Sequence, residues 1–521
     1  VPARAAGFAA PTHSGAQPET IAMNARDDSF PARDAAPAPD AAALLAYAAD
    51  AWERELTPII SDYIAIPAKS PGFDADWARH GYIERVITDA AAWVESKRAL
   101  AGAGLTLEVV RIAGRTPLLF FDLPATRAAG DDAARPAQTV LMYGHMDKQP
   151  EFMGWRADLG PWTPKRVDDK LFGRGGADDG YAVYAALTAV LALDKQGVPR
   201  PRVVGVIETC EESGSYDLPV YLDALKPRLG DVGLVVCLDS GCGDYERLWL
   251  TTSLRGMVSG VLSVEVLTEG VHSGDASGLV PSSFRILRRL LDRLEDSASG
   301  RLLPPVFHCD IPQERVAQAA DTARILGDQV WQRFPWACGA DGATTLPTTT
   351  DPQEALLNRT WRPTLSVTGA EGLPALDSAG NVLRPKTAFK LSLRLPPLVD
   401  AQAAAAELKQ LLERDAPYNA RVRFDYDHGH ATGWNNGPLA PWLEDALRRA
   451  SRTSFGEDLG FLGQGGTIPL MKLLQDAFPR SQHVVCGVLG PKSNAHGPNE
   501  FLHLGYVKKL TAAVAQIVAA A

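Results

Sequence analysis

The sequence predicts an α/β protein: a mostly parallel sheet flanked by helices, with a smaller α+β domain inserted into it. Three observations predict this. Apolar runs of strand type alternate with helical segments up to about residue 250, the pattern of a parallel sheet covered on both faces. After Thr251 the character changes to alternating apolar and polar positions, as in Val258 to Leu267, which marks strands with one wet face. The first pattern then resumes near the C-terminus. At 521 residues the chain exceeds what one hydrophobic core usually serves, so two domains are expected.

Taken in order, residues 1–43 are expected to form a flexible N-terminal segment, rich in Ala, Pro and Asp and without hydrophobic periodicity. It holds no apolar core of signal-peptide length, and a leader already removed ahead of Val1 stays open. From Leu44 the pattern is helical, and Ile83, Val86, Ile87, Ala90, Ala91 and Val94 mark one face of a second helix. The first part of the sheet domain spans 44–252, the inserted domain 253–431 and the second part of the sheet domain 432–521. Within the insertion a helix is expected over about Ser282 to Leu294. Alternating strands run from Lys386 to Leu395 and from Arg421 to Asp427, with an alanine-rich helix at 401–414 between them. Residues 299–363, containing Pro, Thr and Trp, follow no single period and are left unassigned.

Composition narrows the class. Hydrophobic residues make up 46% and charged residues 22%, within the globular range. Fifty-two basic against 62 acidic side chains leave a formal charge of −10, which gives no reason to expect nucleic acid or an anionic membrane as partner. No stretch approaches the roughly 18–20 apolar residues of a membrane span. The six cysteines, at 210, 237, 242, 309, 338 and 486, read as reduced core residues of a cytoplasmic protein. Cys237 and Cys242 have a loose metal-like spacing, but no second pair accompanies them.

Five segments carry the chemistry. Val140-Leu141-Met142-Tyr143-Gly144-His145-Met146-Asp147 is an apolar run ending in a histidine and an aspartate that can share one pocket. Gly173 to Gly180 delivers Asp178 and Asp179 at the start of a helix expected from Tyr181 to Lys195, where aspartates could equally act as N-caps. Val203 to Ile207 leads to Glu208 and then Glu211-Glu212-Ser213, which alone would read as a solvated loop. Gly233 to Leu238 ends on Asp239, and Val484 to Leu489 leads to Ser493-Asn494-Ala495-His496-Gly497-Pro498-Asn499-Glu500. Parallel strands gather their C-terminal ends along one edge. Two histidines and four or five carboxylates there would repel unless cations held them. Mixed nitrogen and oxygen donors suit zinc, with manganese or cobalt as alternatives. So many ligands point to two divalent ions sharing a bridging carboxylate.

These segments resemble, in order and over nearly the whole chain from about residue 45, those of the di-metal peptidase and deacylase family of carnosinase-type dipeptidases, glutamate carboxypeptidase and aminoacylases. The resemblance implies that His145, Asp178 and Asp239 hold one metal, with Asp178 bridging to a second held by Glu212 and His496. It implies Glu211 as general base, Asp147 orienting His145, and a cis peptide bond between Asp178 and Asp179. Asp239, together with Glu211 to Ser215, is similar to the carnosinase-type branch. The inserted domain would be a lid and dimerisation domain. His272, in Val271-His272-Ser273-Gly274, resembles a lid histidine that reaches the substrate carbonyl in the partner protomer. Arg394 resembles the arginine that clamps a substrate carboxylate, against the plainer reading of a strand arginine in a salt bridge. His430 is a further lid candidate with His428 its rival, and Thr467 resembles a substrate-contacting loop residue.

Two positions depart from the family pattern. Gly180-Tyr181 stands where a lysine is expected after the paired aspartates, and Lys148 follows Asp147 where a small apolar residue is frequent. Lys148 reads as the partner of a carboxylate behind the site, or else as a cation favouring an acidic substrate. The expected activity is hydrolysis of dipeptides or short peptides with a free C-terminal carboxylate, by a homodimeric, cytoplasmic metallopeptidase. N-acyl amino acid deacylation is the enzyme alternative, and a metal-binding protein without catalysis the alternative of another class. An uncoordinated Glu211 beside intact ligands argues against the last.

Overall fold

The computed structural model describes residues 38–101, 104–126, 139–466 and 469–521. Most of the expected flexible segment therefore lies outside the described residues, and the first helix is Ala41–Ala51. The central sheet has six strands in the order Thr106–Val110, Leu118–Leu123, Arg202–Glu208, Thr139–His145, Val232–Cys237, Gln482–Val485. The last four are parallel to one another, and the first two add an antiparallel edge.

Alternation along the strands explains why helices cover both faces. Val140 and Met142 join the core beneath helices Ala182–Gln196 and Leu504–Ala520, while Leu141 and Tyr143 join the core beneath Leu218–Leu229. The expected face of the second helix is the buried face of Tyr82–Ser96. Gly144, directly before His145, has a specific job. A Cβ there would lie 2.5 Å from the Ala182 Cβ and 2.9 Å from Asp179 Oδ2, so glycine lets the paired aspartates approach the strand end.

The alternating region forms a second, antiparallel sheet ordered Thr364–Glu371, Lys386–Leu395, Gly256–Glu265, Arg421–Ala431. Helices Ser283–Leu291 and Ala401–Glu413 bury their apolar sides on it through Ile286, Leu287, Leu408 and Leu412. The segment that followed no single period contains helices Gln313–Leu326 and Pro352–Thr360, which pack against strand Gly460–Gln464. Arg315 fastens the first of them, donating to Asn435 Oδ1 (2.9 Å) and to the Asn436 carbonyl (2.6 Å).

A small antiparallel sheet of Lys165–Val167, Lys170–Phe172 and Phe501–His503 brings together chain segments more than 300 residues apart, with Phe501 opposite Phe172. The Asp178 loop leaves one of these strands and the His496 loop enters another, so the sheet lays the two loops side by side. Among the described residues no helix is long and apolar enough to cross a membrane. All six cysteines are free; Cys210, Cys237, Cys242 and Cys486 are buried, but Cys338 is exposed and Cys309 partly so, correcting the uniform core reading. Cys338 lies in a turn made mostly of alanine and glycine, where the sequence offers no bulky side chain to bury it.

Candidate metal centre

The C-terminal mouths of the parallel strands carry the acids and histidines. His145 ends its strand fully buried, opposite Glu208 in register. Its Nδ1 lies 3.1 Å from the backbone carbonyl and 3.4 Å from a carboxylate oxygen of Asp147. Asp147 also accepts the backbone N–H of Glu211 (3.1 Å) and of Glu212 (3.0 Å), one on each oxygen. One buried aspartate thus fixes the histidine and the turn bearing both glutamates.

Asp178 lies between two histidines. Its Oδ1 is 3.5 Å from His145 Nε2 and its Oδ2 is 3.0 Å from His496 Nε2. Glu212 Oε2 lies 3.3 Å from the same His496 nitrogen and accepts the Gln149 amide at 2.6 Å. Asp239 Oδ2 and Glu211 Oε2 lie 3.9 Å and 4.0 Å from His145 Nε2. The Asp178–Asp179 peptide bond is cis. The helix beyond begins at Ala182 without a side-chain cap, so neither aspartate serves as its N-cap.

This arrangement fits bound cations. His145 Nε2 and Glu212 Oε1 are buried without a hydrogen bond among the described residues, a costly state unless something else is bound. Two ligands of one tetrahedral cation at ~2.1 Å stand about 3.4 Å apart, and the spacings around His145 and His496 bracket that value. Donor atoms of His145, Asp178 and Glu212 lie within 4.8 Å of one another, as do those of His145, Asp179 and Asp239. Asp179 is thus closer to the donors than the sequence reading allowed. Its Oδ2 accepts the His145 N–H at 3.3 Å.

The charge distribution agrees. Burial, then the negative charge of Asp178, pushes Glu212 up to about 8; burial likewise lifts Asp239 to about 6. Glu211 is raised well above the ordinary range by burial and by Asp239. Burial opposes protonation of His496, but its bond to Asp178 and the charge of Glu212 outweigh that and hold it up at about 9. The cluster therefore retains protons that a cation would displace.

A cavity of about 1040 Å³ opens over these groups. Arg394 and His430 line it beside Asp178, Glu211, Glu212, Asp239 and His496. Arg394 lies on strand Lys386–Leu395, opposite Met257, with its pKa lowered by burial. His272 is not among the residues lining it. Its side chain is 68% exposed, and its Nδ1 accepts the Gly274 N–H. Thr467 lies outside the described residues, as does the side chain of His428.

Lys148 follows neither reading of it. Fully buried, its ammonium donates to the carbonyls of Tyr63 (2.6 Å) and Ile66 (2.8 Å), sealing the C-terminal end of helix Thr57–Ile64. It turns to these carbonyls because helix ends leave acceptors unsatisfied, and burial lowers its pKa. Sequence reasoning also missed Gln149, Arg174, Glu208 and Glu500. Arg174, Glu208 and Glu500 sit inside the quoted motifs without a role assigned to them; Gln149 adjoins one.

The family model for peptidase family M20/M25/M40 matches residues 141–520. The cysteinylglycine-S-conjugate dipeptidase of Corynebacterium striatum is 28% identical over 465 residues, covering 86% of this chain and 90% of that protein. The Beta-Ala-His dipeptidase of Rattus norvegicus is 29% identical over 370 residues, covering 68% and 70%. Among solved structures, human carnosine dipeptidase 1 superposes with a TM-score of 0.68 at 22% identity, over 93% of this chain and 100% of that one.

Proposed function

The chain belongs to peptidase family M20/M25/M40, and from that premise we propose that it is a di-metal dipeptidase cleaving dipeptides or short peptides with a free C-terminal carboxylate. The observation that carries this reading is Asp178, whose two oxygens face different histidines, His145 and His496. His145, Asp178 and Asp239 would hold one divalent ion, and Asp178, Glu212 and His496 the other. Zinc is the first choice, with manganese or cobalt as alternatives. Such ions supply Lewis acidity toward the scissile carbonyl and lower the pKa of water toward neutrality.

The chain's own residues do the rest. Glu211 accepts the proton of the attacking water and returns it to the departing amine. Asp147 orients His145 and, through the N–H groups of Glu211 and Glu212, keeps base and ligand in fixed relation. Arg394 binds the terminal carboxylate from the cavity wall, with His430 beside the substrate. His272, which does not line its own chain's cavity, supports the developing oxyanion in a partner protomer of a homodimer. The names of the two sequence relatives, both dipeptidases, support the dipeptide over the N-acyl amino acid. The free cysteines support a cytoplasmic setting.

The experiment is a substrate panel with metal-reconstituted protein. Dipeptides are expected to be hydrolysed at least ten-fold faster than matched N-acetyl amino acids. The reverse order makes the protein a deacylase.

A further inference from the structure

The cavity is large for a dipeptide, at the upper end of the roughly 300–1,000 Å³ of small-molecule sites. Arg394 and Met257 come from the four-stranded sheet. Phe73, Gly72, Gln149 and Tyr216 line it as well, and they belong to the loops around Glu212. Gln149 donates to Glu212, and Gly72 donates its N–H to Ser213 Oγ at 2.7 Å.

Both aromatic rings stand out on fixed backbone. Phe73 is 43% exposed and Tyr216 53%. The Phe73 loop is stapled to the glutamate turn by the Ser70–Ser213 hydroxyl contact at 2.5 Å, and to the Asp147 loop by Ser70 N–H donating to the Lys148 carbonyl at 2.9 Å. Next to Tyr216, Asp217 is buried and accepts from Arg115 (2.6 Å) and from the Thr116 N–H (3.0 Å). Rings exposed to water yet held on anchored loops lose little freedom when a ligand covers them, which makes them efficient contact surfaces.

We propose that Phe73 and Tyr216 form the subsite for the group on the amino side of the scissile bond, and that it selects large apolar or aromatic side chains. The placement rests on the dipeptidase reading above: if Arg394 takes the terminal carboxylate, the amino-side residue lies across the metal ligands, toward Glu212 and these rings. Filling such a subsite distinguishes substrates by about ten-fold or more.

The test compares kcat/KM for Phe-Gly and Ala-Gly, and for Ala-Phe and Ala-Gly, in the metal-loaded protein. The expected Phe-Gly to Ala-Gly ratio is at least ten. Phe73→Ala and Tyr216→Ala should each lower it five-fold or more, whereas Tyr216→Phe, which keeps the ring, preserves it. The Ala-Phe to Ala-Gly ratio should not move. An unchanged first ratio in both alanine variants overturns the subsite, and so does a change confined to the second. Phenylpropionyl-glycine against acetyl-glycine separates this inference from the reading beneath it, because an acyl group occupies the same side of the scissile bond. Cleavage of the acyl series alone, with the ring-dependent preference intact, removes the dipeptidase reading and leaves the subsite standing. Cleavage of neither series overturns both.

Discussion

Arg174 and Glu500 form a buried ion pair, Nη1 to Oε2 at 2.6 Å, that binds the Asp178 loop to the His496 loop. The same guanidinium donates to the Gly497 carbonyl at 2.8 Å, next to His496. The other Glu500 oxygen accepts the N–H groups of Gly175 (2.9 Å) and Ala177 (3.3 Å), next to Asp178. Among the described residues no hydrogen bond joins either side chain to a side chain of the donor cluster, yet together they set the spacing of two of its members.

Arg174→Gln is therefore expected to leave Glu500 as an uncompensated buried charge, costing about 3–5 kcal/mol. It should also weaken metal binding by about 10–100-fold. Glu500→Gln keeps an acceptor for the two N–H groups but leaves the buried guanidinium, which cannot lose its charge, unpaired, so it should be at least as destabilising. Urea unfolding and metal titration measure the two effects, and wild-type metal affinity in Arg174→Gln would remove the positioning role.

This pair also marks what the sequence shows and what it hides. His145, Glu212, Asp239 and His496 were legible because an apolar run announces a buried parallel strand and the residues just past it must lie on the sheet's mouth edge. Arg174 and Glu500 were not, because an isolated charge reads as solvated until its partner is known, and the partners are 326 residues apart. Lys148 failed for a similar reason: its acceptors are backbone carbonyls, which leave no trace in residue identity. The helices at 313–326 and 352–360 escaped notice because they bury few positions and mix polar with apolar residues on their packed sides. The α/β class and the second, alternating sheet depend on periodicity alone, and both are present.

Glu211 and Glu212 should separate under mutation. Glu211→Gln removes a proton acceptor and should retain two metals per chain while turnover falls by about 10²–10⁴-fold. Glu212→Gln changes a donor 3.3 Å from His496 and should lose metal as well. Metal content by mass spectrometry alongside kcat decides this; equal metal loss in both variants would mean the two roles are wrongly divided.

Glu208 predicts a pH dependence. Burial holds it at about 7 against an ordinary 4.5, despite bonds from Tyr143 (2.6 Å) and Ser215 (2.9 Å). Between those values the folded state keeps a proton that the unfolded chain has released, so stability falls as pH rises through this window and levels off above 7. At about 1.4 kcal/mol per pH unit the contribution is at most about 3 kcal/mol. Glu208→Gln cannot ionise, so its stability relative to wild type should increase by about 1–3 kcal/mol between pH 5 and pH 8. Urea unfolding at both pH values tests this, and a constant difference rules it out.

Chelation should abolish hydrolysis, and zinc, manganese or cobalt should restore it, because His145 Nε2 and Glu212 Oε1 stand buried in the donor cluster without a hydrogen bond among the described residues. Restoration is expected to need two ions per chain. Full activity with a single tight ion would sink the two-metal reading.

The last prediction concerns assembly. His272 is exposed on the short strand Val271–His272, paired with Val382–Leu383, and does not line the cavity of its own chain. If it acts across a two-fold interface, each active site takes Glu211 from one protomer and His272 from the other. Mixing His272→Ala protein with Glu211→Gln protein, each nearly inactive alone, then distinguishes the arrangements. In a mixed dimer the site on the His272→Ala chain has its own Glu211 and borrows an intact His272, while the other site lacks both. Random exchange at equal mixing makes about half the dimers mixed, each with one working site of two, so activity should recover toward about a quarter of wild type. Light scattering establishes the dimer and subunit exchange is followed by fluorescent labels. Mixed dimers that form without regaining activity would show that His272 does not serve the neighbouring site.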